Sequence, residues 1–133
     1  MNVSRDDIHR ASDDPLHAEC PGRSVFETIT GRWSLLILWS LRGGSLRFFE
    51  LRNNVEGISE RVLSHNLKAL RRDGLLARHV EPTVPPKVSY SLTDVGAELI
   101  EVMDGLTGWI ARRLPDVEAA RASHDAAEGS GSP

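Results

Sequence analysis

The 133-residue chain reads as mainly helical with one small β-hairpin, an α+β class. Three observations predict this. Between Gly57 and Leu76 the apolar residues Leu63, Leu67 and Leu70 recur at helical spacing, so they share one buried face. After Gly74 the period changes: Leu76–Glu81 and Lys87–Leu92 alternate in character, the pattern of two half-buried strands around a proline-stiffened tip at 82–86. From Thr93 a helical period returns, with Leu99, Met103, Leu106 and Ile110 in one stripe.

The elements follow in order. Residues 1–19 are polar and acidic without periodicity, which predicts a flexible arm on which Leu16 alone could dock. Cys20-Pro21 opens a helix, because proline's missing N–H costs nothing at the first helical position. Val25, Phe26 and Ile29 give it an apolar face, and Gly31 ends it. Residues 32–42, RWSLLILWSLR, are apolar almost all round and predict a central buried helix with Trp33 and Trp39 in the core. Gly43-Gly44 breaks it. Residues 45–47 fit an edge strand or a helix start, 48–53 a short helix with Leu51 and one of Phe48 and Phe49 inward, and 54–58 a turn.

Ser59 is the expected N-cap of the next helix, its hydroxyl accepting from a backbone N–H one turn on. Gly74 is the expected stop, since only glycine takes a left-handed cap at no steric cost. Thr93 caps the last helix, and Asp94 adds negative charge at its positive end. Val95, Val102 and Trp109 flank its stripe. Pro115 is expected to end it, and the composition of 115–133 predicts disorder. The expected organisation is an arm over 1–19, a folded domain over 20–114 and a tail over 115–133.

Composition excludes several classes. The longest apolar run, 35–39, is far too short to span a bilayer. The N-terminus has no apolar core and no cleavage site, so no secretory signal is visible. One cysteine precludes an internal disulfide and a cysteine-based zinc cage. These observations together predict a cytoplasmic protein without cofactor or metal. Paired catalytic carboxylates, a phosphate-binding glycine loop and a Ser/His/Asp set are all missing, so an enzyme is not expected.

The net charge of −3 masks an uneven distribution. Residues 1–20 hold two Arg against five acids, and residues 115–133 one Arg against four. Residues 42–87 hold nine basic residues against five acids. Arg61, His65, Lys68 and Arg72 fall on the face of the 57–76 helix opposite its leucines, flanked by Ser64 and Arg71. Such a face suits a DNA major groove, although a solvated surface helix is the bland reading of any single charged stripe.

Helix, turn, basic helix and two-stranded hairpin is the order of a winged helix-turn-helix. The chain further resembles the HxlR-type family of bacterial transcription regulators. The resemblance rests on CPGRSVFETITGRW at 20–33, LRFFEL at 46–51, GISERVLSHNLKALRRDGLL at 57–76 and VPPKVSYSLTDVG at 84–96. It implies a homodimer joined through its terminal helices, here 21–30 and 93–114, each subunit offering one winged helix to double-stranded DNA. The dimer set would be Val25, Phe26, Ile29, Leu99, Met103, Leu106, Trp109 and Ile110. Arg32 stands where many relatives have lysine, and Phe49 where a small polar residue is usual.

On this reading Arg61, in the first turn, is the leading base reader, because guanidinium matches guanine bidentately. Ser59, Ser64, His65 and Lys68 share the DNA-binding surface. Arg71, Arg72, Arg47, Arg78 and Lys87 are assigned to phosphates. His65 reads as a hydrogen-bond donor rather than a metal ligand, having no second ligand at i+4.

Cys20 stands at a helix start three residues from Arg23, a setting that favours thiolate. The resemblance adds that several such regulators sense oxidants or electrophiles at a cysteine in this place; the bland alternative is an unreactive small residue. Trp109, Met103 and Leu106 fit a small-molecule pocket or, more economically, the dimer interface. The expected function is a sequence-specific DNA-binding regulator, read as a repressor, responsive to redox state or electrophiles through Cys20. The alternative is a winged-helix module that binds protein or RNA without operator specificity.

Overall fold

The computed structural model describes residues 16–129, so most of the expected arm and the last four residues lie outside it. The elements are α1 (Pro21–Ile29), α2 (Ser34–Ser40) with a 3-10 turn at Leu41–Gly43, β1 (Leu46–Arg47), α3 (Phe48–Asn54), α4 (Glu60–Arg72), β2 (Leu76–Glu81), β3 (Lys87–Leu92) and α5 (Asp94–Gly129). The chain divides into two compact units after Ile100. The mainly helical class with a small sheet is as the sequence predicts.

In the first unit the three strands form one antiparallel sheet in the order β1-β3-β2. Residues 45–47, open between strand and helix start, do both: Leu46 pairs with Tyr90 and Arg47 with Ser89, and α3 begins at the next residue. The β2–β3 register runs from Leu76 opposite Leu92 to Glu81 opposite Lys87. Leu63, Leu67 and Leu70 of α4 are buried with Ile37, Leu38, Leu51 and Leu76.

Local chemistry fixes both ends of α4. Ser59 Oγ accepts from the Val62 N–H at 3.1 Å. At the other end Gly74 takes φ of 75°, which lets its N–H reach the Arg71 carbonyl while the Leu75 N–H reaches Leu70, both at 3.0 Å. This is the paired-bond glycine cap, with buried Leu70 and Leu75 supplying its apolar contact. Thr93 then ties the start of α5 to this corner. Its N–H donates to the Leu75 carbonyl, its Oγ1 donates to the Gly74 carbonyl at 2.5 Å, and Oγ1 accepts from the Gly96 N–H.

Two expectations need correction. The buried helix over 32–42 is covered on one side only: Leu36 is 47% exposed, and Trp33 and Trp39 are half-buried. The Arg32 and Arg42 guanidinium groups lie over the two indole rings, 4.6 and 4.3 Å from the centroids, so cations cover ring surface that the core leaves open. Nor does Pro115 end α5, which runs on to Gly129, so residues 115–129 are helical rather than disordered. A helix-interior proline costs roughly 3 kcal/mol, a penalty rather than a prohibition. The following segment repays it with five alanines at 119, 120, 122, 126 and 127 and with the Arg113–Asp116 pair at 3.5 Å. In this second unit Met103 is buried, while Val102, Leu106, Trp109, Ile110 and Leu114 are exposed.

Candidate nucleic-acid interface

The α4 helix presents Arg61, Ser64, His65, Lys68, Arg71 and Arg72 outward, all exposed. Its leucines fill the opposite face, so the polar stripe follows directly from the helical period. What distinguishes the stripe from an ordinary charged surface is its lack of partners. Among the described residues up to Ile100, Arg23 pairs with Glu27 at 2.7 Å and Arg52 with Glu60, while Arg32 and Arg42 cover indole rings. Arg47, Arg61, Lys68, Arg71, Arg72, Arg78 and Lys87 have neither an ion pair nor a side-chain hydrogen bond. Among these described residues up to Ile100, every Lys or Arg outside the sequence-predicted set is engaged, and every one inside it is not.

Strand alternation divides the remaining members. Arg78 and Tyr90 are directly opposed across β2 and β3, on the sheet face that also carries buried Leu76. Arg78 therefore joins Ser64, Lys68 and Arg71 around a concavity of about 260 Å³ whose lining also includes Tyr90 and the apolar Phe48 and Leu67. Arg47 and Lys87 alternate to the other sheet face and line no part of it. Tyr90 is the member that sequence reading missed; its signal was the strand register, which sets it opposite Arg78.

His65 lies toward α1, lining a different concavity with Ser24, Glu27 and Asn66. Nearby, Asn66 donates to the Val62 carbonyl at 2.8 Å and accepts from the buried Ser34 hydroxyl at 3.4 Å, linking α2 to the middle of α4. Ser59 Oγ is committed to its cap. At the front of α4, Glu60 is held by Arg52, whose guanidinium stacks on the exposed Phe49 ring at 5.0 Å. The aromatic departure at 49 thus holds an arginine on the α3 side of the helix start.

Cys20 is the N-cap residue of α1, 3% exposed, and its backbone N–H donates to the His17 carbonyl. The Arg23 guanidinium reaches Glu27 and the Leu16 carbonyl. No group of three His, Cys, Asp or Glu side chains among the described residues could hold a metal ion, and no helix there is long and apolar enough to cross a membrane.

A family model described as HxlR-like helix-turn-helix matches residues 28–118. The chain belongs to the HxlR-like helix-turn-helix family. Its relatives include the HTH-type transcriptional regulator YtfH of Escherichia coli (strain K12), 46% identical over 103 residues, 77% of this chain and 82% of that one. The solved structure of ytfH from Salmonella typhimurium matches with a TM-score of 0.72 at 44% identity, covering 78% of this chain and 93% of that one. The redox regulator HypR in its oxidised form matches with a TM-score of 0.64 at 33% identity, covering 70% and 96%. The HxlR-like match includes the whole of α2 through β3 and begins after Cys20.

Proposed function

We propose that this HxlR-like protein is a dimeric transcriptional regulator that binds a specific DNA duplex and represses by occupying it. The α4 helix enters the major groove, and the β2–β3 hairpin lies along the adjacent backbone. The observation that carries the reading is the set of seven unpaired cations on α4 and the sheet, beside four engaged ones elsewhere in the same unit. Unpaired guanidinium and ammonium groups lose no protein partner when a phosphate or base edge arrives. Arg61, in the first turn of α4, reads guanine, and Lys87 and Arg72 meet phosphates.

Two copies associate through apolar surface on the terminal helices. Phe26 on α1 is 53% exposed and Trp109 on α5 is 50% exposed, with Val25, Leu106 and Ile110 also open. Such residues favour a second protein surface over water by about 25 cal/mol per Å² of apolar area covered.

The oxidant response is assigned to Cys20, a reading supported by the likeness to a redox regulator. With Sγ buried, oxidant reaches it only when the start of α1 opens, so the response is gated by local motion. Sequencing the DNA that co-purifies with the protein tests the main reading. The expected result is one enriched motif, bound with an affinity that falls steeply with salt. Random fragments with no salt-dependent binding would overturn it. For Cys20, equal loss of binding in wild type and Cys20→Ser after diamide would remove the redox assignment.

A further inference from the structure

The concavity between α4 and the sheet differs in composition from three other concavities of the first unit. Its polar lining is Ser64, Lys68, Arg71, Arg78 and Tyr90, three cations and two hydroxyls without an acid. Three other concavities of the same unit also hold cationic or imidazole groups, but each includes a glutamate: Glu56, Glu27 and Glu50 respectively. In the acid-free one, like charges converge from two successive elements, α4 and β2, over an apolar floor of Phe48 and Leu67. Like charges held together above a low-dielectric surface repel one another, and a bound anion relieves that repulsion.

We propose that these five side chains form a seat for one phosphodiester group of duplex DNA, shared between α4 and β2–β3. The inference rests on the DNA-binding reading and deepens it. On α4, Ser64, Lys68 and Arg71 stand at i, i+4 and i+7, one stripe displaced from Arg61 toward the sheet. From the sheet, Arg78 and Tyr90 are opposed across the strands and project from the same face. A DNA strand passing between a helix in the major groove and a hairpin beside it brings its backbone to this junction. Two arginines, an ammonium and two hydroxyl donors match the non-bridging oxygens of one diester. Lys68 accordingly serves the backbone rather than a base, and Tyr90 is a DNA contact through its hydroxyl.

The test is a double-mutant cycle on a random-sequence duplex, read by fluorescence anisotropy across a salt series. If Arg71 and Arg78 share one phosphate, Arg71→Ala and Arg78→Ala each weaken binding by roughly tenfold, the worth of one charge-assisted hydrogen bond. The double variant then loses clearly less than the product of the two losses. The salt slope stays near the wild-type value in each single variant and in the double variant, because Lys68 still meets the phosphate, and it falls by about 0.9, one phosphate, only when Lys68→Ala is added. Arg72→Ala, outside the seat, combines with Arg78→Ala multiplicatively. Tyr90→Phe keeps the ring and weakens binding several-fold with an unchanged thermal midpoint. Multiplicative losses for Arg71 and Arg78, with a slope reduction of about 1.8, would mean two separate phosphates and overturn the seat. Full affinity in Tyr90→Phe would remove the tyrosine from it. A wild-type protein that does not bind duplex DNA overturns the functional reading instead, so the two failures are distinguishable.

Discussion

Replacing Gly96 by alanine should destabilise this protein, although the same change at Gly105, on the same helix, should stabilise it. A Cβ at 96 would lie 2.0 Å from the Leu75 carbonyl oxygen and 3.0 Å from its carbon. Ordinary contact begins at 3.4 Å, so backbone must retreat by about 1.4 Å. The Leu75 carbonyl cannot yield alone. It accepts from the Thr93 N–H at 3.2 Å, while Thr93 Oγ1 bonds the Gly74 carbonyl and the Gly96 N–H. Forced overpacking costs about 1–3 kcal/mol. One or two strained hydrogen bonds add about 1 kcal/mol each, and alanine's helix propensity returns about 1 kcal/mol. The expected loss is about 1–4 kcal/mol, or roughly 4–20 °C in thermal midpoint.

At Gly105 a Cβ meets nothing within 4 Å, so only the propensity gain of about 0.5–1 kcal/mol remains. Urea unfolding of both variants and wild type at one protein concentration gives the comparison. Because Leu75 closes the α4 cap and leads into β2, Gly96→Ala should also disturb the alignment of Arg71 with Arg78 and weaken DNA binding at temperatures where it is folded. A Gly96→Ala protein as stable as wild type would refute the close-approach argument.

Ser59→Ala removes the cap at the front of α4 and should cost about 0.5–2 kcal/mol in denaturant melts, while Ser59→Asp should retain most of the stability. Arg61→Ala should cost about 1–3 kcal/mol on the selected duplex and relax preference at one base pair per half-site, leaving random-duplex affinity far less changed. Lys87→Ala should weaken all duplexes alike and flatten the salt dependence, as titrations at two salt concentrations would reveal. Leu106→Asp should shift sedimentation toward monomer with the helical circular dichroism retained, since this exposed leucine is assigned to the partner surface.

The parts of the fold that were legible in the sequence are those where several short-range signals agree. For α4, a serine cap, a three-leucine face and a stop glycine lie within sixteen residues, and the structure uses each of them. The β2–β3 hairpin was legible because two strand-like runs flank a proline-rich tip, although burial along the strands does not alternate as the sequence pattern implies. Pro115 misled because a breaker residue states a local cost, whereas the outcome depends on the alanine-rich segment beyond it. The tryptophans misled because apolar composition does not say how many sides of a helix the core covers. Burial at Cys20 was invisible for the same reason: helix-end chemistry is local, but access to Sγ is set by residues packed around it.

The charge distribution carries the same lesson to the candidate interface. Counting residues found the basic stretch over 42–87 but could not say which of its cations were available. Availability depends on which acids reach them, and those reaches differ in kind. Arg23–Glu27 is an i,i+4 pair on one helix and could have been read from spacing. Arg52–Glu60 joins two helices across a turn, and its orientation owes as much to the Phe49 ring under the guanidinium as to the carboxylate. Removing these two arginines, and the two laid over indole rings, leaves a remainder that coincides with the outward stripe of α4, the sheet cations and Arg47. A net charge of −3 is therefore no argument against a DNA surface here. The acids of residues 1–20 and 115–133 set the sum, whereas the paired acids of the folded unit decide which cations remain for a polyanion.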